Sequence, residues 1–509
     1  MKYRKHQSEM DNICLDIQSG QIINKIIGAI TPGGGKSKLP VILCDRLIPL
    51  IADKLCWIVP RNSLKYQGES EFIDDEWPTN HRIRAAGNEI DPSRGSSGYV
   101  TTYQAIGQNP ERHAEEFDNH DYILFLDEPH HISEDSSWEK AIKPLVDKAK
   151  LVIYASGTFS RGDGKRISFI DYRGSYIDTE EKEHTKIISY SRSEALEDGA
   201  ICPIYFKTID GRAEWEEGGV TASAKLSTYT EDGKALYTVL RTEYAMQLLK
   251  ACYNDWINSL DEFPEGKLLV IAPDIKTAKK YYNWFYSHHS GSRIATSEDT
   301  QQAKENINLL KKGIIKILIT VGMAYEGLSV KEINRIACLT HIRSVPWIEQ
   351  AFARGNRLFP GKKECIIYGP EDQRFLKSIR MIENEQLSAL KKQSEKQEIP
   401  GSEEGESGEG KPYINPLSST ADIQNIKEPV IPSFKLTPSE EEKYLRSEIQ
   451  RIKTYVLADK KNGAKQTASR LLSMRIKNVC DKQIKDMSID ELTEVWMFLR
   501  KNYQMHLTT

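Results

Sequence analysis

Residues 26–37 read IIGAITPGGGKS. An apolar run, Ile26 to Ile30, ends in a glycine-rich turn, and the turn runs into Lys36 and Ser37. A loop that holds phosphate needs residues without a side chain, so that successive backbone N–H groups can close around the oxygens with a helix N-terminus behind them. Gly33, Gly34 and Gly35 supply that freedom, and Thr31 opens the turn. In such a loop the lysine reaches the β- and γ-phosphates and the hydroxyl that follows holds magnesium. Lys36 and Ser37 stand at those positions, so the stretch predicts an ATP and Mg2+ site at the end of a buried strand. The strict pattern G-x-x-x-x-G-K-[ST] fails at its first glycine, where this chain has Ile30. Taken alone, the stretch also fits a glycine turn with no ligand.

A second stretch decides between those readings. Residues 124–132 are LFLDEPHHI, an apolar strand ending in Asp127 and Glu128. Two carboxylates directly after a buried strand are costly without a cation nearby. Asp127 is placed to hold magnesium through water, and Glu128 to orient and activate an attacking water. His130 can couple these groups to polar neighbours, whereas His131 reads as surface. SGT follows at 156–158, and QAFARGNR at 350–357 carries Arg354 and Arg357 three residues apart. At that spacing the two guanidiniums can share one helical face and meet a γ-phosphate in the transition state. A solvated basic face is the plainer reading of the same pair. The eleven histidines form no H-E-x-x-H pattern, which argues against a metal-hydrolase centre.

The rest of the composition fits this frame. A chain of 509 residues accommodates two or three domains. Net charge is -3, so any nucleic-acid surface must arise from local clustering. The eight cysteines show no C-x-x-C pair and read as reduced core residues. There is no apolar run of membrane-spanning length, and the start of the chain is polar, so a cytoplasmic protein without membrane contact is expected.

Short apolar runs at 25–29, 55–59, 98–101, 122–126 and 151–155 alternate with helix-like stretches, and each ends in a polar motif. That is the pattern of a parallel α/β sheet, whose ligands bind beyond the carboxyl ends of the strands. A second set lies at 267–271, 315–320, 333–338 and 364–368, after an apolar helical stripe from Leu236 to Leu260. The expected division is a first ATP-binding domain at 1–160, an inter-domain or accessory segment at 161–235 and a second domain at 236–388. A flexible linker at 389–438 and a basic helical C-terminal module at 439–509 complete it. The linker expectation rests on GSEEGESGEG at 401–410, which contains only Gly, Ser and Glu. Within the tail, 451–477 holds eight Lys or Arg against one acid, Asp459.

Over roughly residues 1–385 these motifs resemble the superfamily 2 helicases of the DEAD/DEAH-box-like group. TPGGGKS and DEPH are similar to that family's first and second motifs, and SGT to its SAT motif, which implies a coupling role for Ser156 and Thr158 beside His130. Arg4-Lys5-His6-Gln7 resembles the N-terminal glutamine motif, which implies that Gln7 reads adenine. Pro60-Arg61-Asn62 and Thr101-Thr102-Tyr103-Gln104 resemble strand-tracking motifs. TVGMAYEGLSV at 320–330 resembles motif V, with Thr320 toward nucleic acid, Glu326 in coupling and Gly327 near nucleotide. QAFARGNR resembles motif VI, with Gln350, Arg354 and Arg357 in place and Ala353 where many members have glycine. The resemblance implies two tandem RecA-like P-loop domains with ATP in the cleft between them and nucleic acid across their tops. The passage SRSEALEDGAICPIYF at 191–206 is similar to one in duplex-DNA translocases related to phage recombination helicases and restriction motor subunits. The tail is loosely similar to small helical modules of phage DNA-binding proteins.

The expected function is therefore ATP-dependent movement on, or remodelling of, nucleic acid, with DNA favoured. An RNA helicase, the motor of a restriction or defence system, and a nucleic-acid scaffold with a vestigial motor are the alternatives. The complete set Lys36, Asp127, Glu128 and Arg357 argues against the last of these.

Overall fold

The computed structural model describes residues 3–74, 77–157, 159, 166–173, 176–177, 182–228, 233–321, 330–391, 415–427, isolated positions between 442 and 453, 462–480 and 482–503. Its first sheet has seven strands. β1 (Lys25–Ile30), β2 (Lys54–Val59), β3 (Arg84–Ala85), β4 (Gly98–Thr102), β5 (Tyr122–Asp127) and β6 (Leu151–Ser156) precede a small hairpin, β7 (Tyr172–Arg173) and β8 (Tyr176–Ile177). β9 (Thr185–Tyr190) then completes the sheet in the order β3-β4-β2-β5-β6-β1-β9, with every pairing parallel. The second sheet is built from β10 (Ile204–Ile209), β13 (Lys267–Ala272), β14 (Ser292–Ala295), β15 (Ile317–Val321), β16 (Ile333–Cys338) and β17 (Cys365–Pro370), ordered β10-β17-β16-β13-β15-β14 and again all parallel.

Both sheets are covered by helices on both faces, which is why their strands read as unbroken apolar runs. Alternate residues of one strand feed opposite layers. Ile123 and Phe125 of β5 join one core, while Tyr122, Leu124 and Leu126 join the other. In the second unit Leu268 and Val270 of β13 lie in one layer, and Leu269 and Ile271 in the other. These are two tandem RecA-like domains. All eight cysteines are free and buried, as their apolar contexts predict.

Three expectations change. The segment 161–235 divides between the two sheets. β9 pairs with β1, and β10 pairs with β17, so the two parallel strands near the middle of this segment are structural members of the flanking units. The apolar stripe 236–260 breaks into the helices Lys234–Val239 and Glu243–Ser259, because Thr242 is extended and turns its hydroxyl back onto the Thr238 carbonyl at 2.8 Å.

The third change concerns the flexible linker. Its glycine-rich part, 401–410, lies outside the described residues, but β18 (Asn415–Ala421) is an ordered strand. With β11 (Gly211–Glu217) and β12 (Val220–Lys225) it forms an antiparallel sheet of three strands, in the order β12-β11-β18. Ala213 and Trp215 of β11 point into the core of the second unit. Ser419 of β18 is buried and accepts from the Tyr244 backbone N–H at 3.1 Å. Residues after the glycine-rich stretch therefore return to the second unit.

The described part of the C-terminal module contains the helices Asn462–Val479 and Ile489–Tyr503. Leu445, Leu472, Ile476, Leu492 and Trp496 form a core with Phe263 and Phe359 of the second unit. The Phe359 and Trp496 rings meet edge to face at 5.0 Å. Phe263 and Phe359 lie just ahead of β13 and β17, so the module docks beside the segments that lead into those strands. Among the described residues no helix is long and apolar enough to cross a membrane.

Candidate active site

The glycine turn leaves β1 in a conformation that only glycine adopts freely. Gly33 has φ 87° and Gly35 has φ 95°, both in the left-handed region. Thr31 closes the turn by accepting from the Gly34 N–H at 2.9 Å. A short 3-10 turn, Lys36–Lys38, leads into the helix Leu39–Leu47, so the loop ends at a helix N-terminus as its sequence predicts. Arg4 and Gln7 brace it from the first helix, Lys5–Gln18. The Arg4 guanidinium donates to the Gly34 carbonyl at 2.6 Å, and the Gln7 amide donates to the Gly35 carbonyl at 3.3 Å. Gln7 also accepts from the Arg4 N–H at 2.9 Å. In this arrangement Gln7 supports the loop itself.

β5 carries Asp127 at its end, and Glu128 follows with φ 54°. That left-handed residue turns the chain so that both carboxylates converge on Lys36. The ammonium is 2.7 Å from Asp127 Oδ1 and ion-paired with Glu128. Ser156, at the end of β6, donates to Glu128 Oε2 at 2.5 Å, and His130 Nδ1 lies 3.2 Å from the same hydroxyl and 3.4 Å from the Glu128 carboxylate. Tyr103 donates to the Asp127 backbone carbonyl at 2.8 Å.

The titrations follow from this crowding. Burial alone would raise Glu128, but the charges of Lys36 and His130 and the hydrogen bonds from Lys36 and Ser156 outweigh it and lower the pKa to about 2. Burial raises Asp127, and Lys36 offsets this only in part. Burial would lower Lys36, but its two carboxylate partners raise it instead. Lys36 is therefore a fixed cation and Glu128 a fixed anion at neutral pH.

The donor set suits a hard divalent cation. Asp127, Glu128 and the Ser37 hydroxyl offer oxygen alone at the loop, the ligand type that magnesium takes. The two carboxylates share the Lys36 ammonium.

The arginine motif differs from expectation in its local structure. The helix Val345–Phe352 includes Gln350 but stops before Arg354. Arg354 and Arg357 therefore sit in the turns that follow, not on one helical face. The turn is held by backbone capture. Lys362, buried, donates to the carbonyls of Gly355 (2.6 Å), Arg357 (3.0 Å) and Lys331 (3.0 Å). The Cys202 N–H donates to the Asn356 carbonyl at 2.7 Å. Both arginines are partly buried, and burial lowers Arg357 while Glu71 of the first unit partly offsets this.

Between the two arginines, Asn356 crosses to the first unit. Its amide donates to the Pro32 carbonyl at 3.0 Å, which places the arginine turn against the glycine loop. Asn356, Lys362 and Cys202 were not legible in the sequence. Gly355 was the available signal that the helix should stop.

The remaining expected residues divide. Arg61 is exposed and Pro60 partly so, where β2 ends. Thr101 is fully buried, and Thr102 uses its hydroxyl to cap the helix Tyr103–Gln108, accepting from the Ala105 N–H at 3.1 Å. Neither threonine presents its hydroxyl to an outside strand. Thr320 is buried at the end of β15, its hydroxyl donating to the Val321 carbonyl at 3.3 Å. Thr158, Glu326 and Gly327 lie outside the described residues.

A sheet pair of this topology, with a glycine loop, a lysine and an acidic pair at the carboxyl end of one sheet, defines a P-loop protein with tandem RecA-like domains. Residues 1–161 match the family model described as type III restriction enzyme, res subunit. An uncharacterized protein of Mycobacterium tuberculosis (strain ATCC 25618 / H37Rv) is 23% identical over 361 residues, covering 67% of this chain and 57% of the relative. An uncharacterized protein of Mycobacterium leprae (strain TN) is 22% identical over 374 residues, covering 72% and 62%. The chain thus spans less than two thirds of the length of these relatives. Among solved structures, S. cerevisiae Dbp5 bound to RNA and ADP BeF3 aligns with TM-score 0.47 at 13% identity, covering 76% of this chain and 88% of that one. The Mycobacterium smegmatis helicase Lhr bound to ssDNA and AMP-PNP aligns with TM-score 0.46 at 12% identity, covering 76% and 48%. What these likenesses share with the chain is confined to its first unit for the family model and to the two-sheet fold for the solved structures.

Proposed function

We propose that this protein is a nucleic-acid-dependent ATPase that uses closure between its two RecA-like units to move on or remodel DNA. The observation that carries the proposal is the convergence of Asp127 and Glu128 on Lys36, with the arginine turn of the second unit hydrogen-bonded to the same glycine loop.

In this reading the N–H groups of Gly33 to Lys36 bind the β- and γ-phosphates, and Lys36 leaves its carboxylates to neutralise them. Asp127 and Ser37 would hold magnesium, which supplies charge neutralisation between the phosphates. Glu128, already an anion, accepts the proton of the attacking water. Ser156 and His130 hold its carboxylate in place and tie it to β6. Arg354 and Arg357 stabilise charge that develops in the transition state, and they do so from the opposite unit, so turnover needs closure. Arg61 lies at the carboxyl end of the first sheet, where a bound strand would pass.

DNA is favoured over RNA by the restriction-enzyme likeness of residues 1–161 and by the passage at 191–206. The test is the ATPase rate without nucleic acid and then with single-stranded DNA, duplex DNA, branched DNA and RNA. The proposal expects the largest stimulation from one of the DNA forms. Stimulation by RNA alone would replace DNA as the track, and a rate indifferent to all four would remove the motor reading.

A further inference from the structure

Asn356 is fully buried, yet its side chain belongs to one unit and its hydrogen-bond partner to the other. The amide N–H donates to Pro32 O at 3.0 Å, across 324 residues of chain. Its Oδ1 is buried and has no hydrogen-bond partner among the described residues. A Cβ placed on Gly33 would lie 2.8 Å from that oxygen and 3.3 Å from Ile201. Gly33 is therefore constrained twice, by its positive φ and by a side chain from the second unit.

The backbone of Asn356 is equally fixed. Its carbonyl accepts from the Cys202 N–H, and the carbonyls on either side, at Gly355 and Arg357, accept from Lys362. Cys202 and Ile201 belong to the stretch that carries the chain from β9 to β10, that is, from one sheet to the other. The crossing stretch, the arginine turn and the glycine loop thus meet at one side chain.

We infer that Asn356 is a positioning residue that sets the register between the glycine loop and Arg354 and Arg357, acting through the Pro32 carbonyl and not on the nucleotide. The inference rests on the nucleotide site proposed above. A phosphate loop presents its N–H groups to the ligand, so the Pro32 carbonyl remains free to accept from Asn356 while the loop is occupied. Because the two arginines flank Asn356 in the same turn, a side chain that fixes this turn also fixes how far each guanidinium reaches. A shift of about 1 Å in such a group is enough to cost of order 100-fold in rate.

The test uses the full chain with a spin label on each unit, at Lys140→Cys and Lys280→Cys, both exposed positions. Inter-label distances are measured without nucleotide, and ATP turnover is measured on the unlabelled chain. With Asn356 present one narrow distance is expected. Asn356→Asp keeps the shape but removes the N–H donor, and Asn356→Ala removes both. Each should broaden the distribution toward longer distances. Turnover of Asn356→Ala should fall about tenfold in kcat, with KM for ATP within about threefold, because ground-state binding does not use this residue. An Asn356→Asp distribution that matches the parent overturns the hydrogen bond as the cause. Broadened distances with unchanged kcat overturn the positioning role. If the parent itself shows no turnover, the ATPase reading fails, while the distance measurement still judges whether Asn356 holds the units in register.

Discussion

Lys36 is held between two carboxylates, and what each partner does can be separated by substitution. Lys36→Ala removes the phosphate cation and leaves Asp127 and Glu128 facing each other, so turnover should be lost and ATP binding weakened. Glu128→Gln keeps the shape but not the base, so ATP binding should persist while kcat falls about 100- to 10,000-fold. Equilibrium binding of a fluorescent ATP analogue beside steady-state turnover separates the two, and near-parental turnover in Glu128→Gln would take this carboxylate out of the mechanism. The local geometry of this site was legible because its parts are contiguous in sequence: the loop at 31–37 and the pair at 127–128 each carry their spacing with them. Residues that act across the fold were not. His113, for example, is buried with Asn88 Oδ1 3.1 Å from Nε2 and the Tyr99 hydroxyl 3.1 Å from Nδ1, and burial lowers its pKa to about 4. A base whose folded pKa is depressed favours the folded state above its unfolded pKa of about 6.5. That contribution, of order 3 kcal/mol, is lost as pH falls from about 6.5 to about 4, because the unfolded chain then binds the extra proton. Denaturant titrations at about pH 7.5 and about pH 5, on either side of the unfolded pKa, should show a steeper loss for the parent than for His113→Gln. Equal losses would acquit His113.

At the scale of elements, periodicity found the strands and misread their ownership. β9 and β10 carry apolar runs like the others, but nothing in a run of six residues says which of two sheets it joins. The same limit hid β18. Its sequence, NPLSSTA, has little apolar content and follows a glycine-rich stretch, so composition assigns it to a linker. Its order comes from partners far away in sequence: β11, and the backbone of the helix Glu243–Ser259 that Ser419 satisfies. Ser419→Ala would leave the Tyr244 N–H buried without its acceptor, at a cost of about 1–3 kcal/mol. Thermal unfolding should register this as a lower midpoint. An unchanged midpoint would mean that another group replaces the serine oxygen.

For the molecule as a whole, the C-terminal module has two features whose consequences can be told apart. It covers Phe263 and Phe359, and its sequence at 451–477 carries the surplus of eight basic residues over one acid. Removing 428–509 preserves β18 and exposes both phenylalanines, so stability should fall. If the basic stretch also neutralises phosphates, DNA affinity should fall with it. Its dependence on salt should then become shallower, by roughly one unit of log–log slope for each phosphate no longer neutralised. A salt titration of DNA affinity, parent against truncation, decides this. Identical slopes would leave the module as a cover for the second unit alone.

Lys362 has a consequence for chemistry outside the proposed nucleotide site. An amine-reactive reagent needs a lysine whose nitrogen is free, deprotonated for an instant and open to water. Lys362 is buried, and its three carbonyl partners occupy all the protons it can donate. Acylation of this one side chain must therefore wait until the arginine turn comes apart, whereas exposed lysines such as Lys140 and Lys280 react at once. The rate at which mass spectrometry finds Lys362 modified is thus a clock for local opening of the turn, readable without nucleotide, without DNA and without any engineered probe.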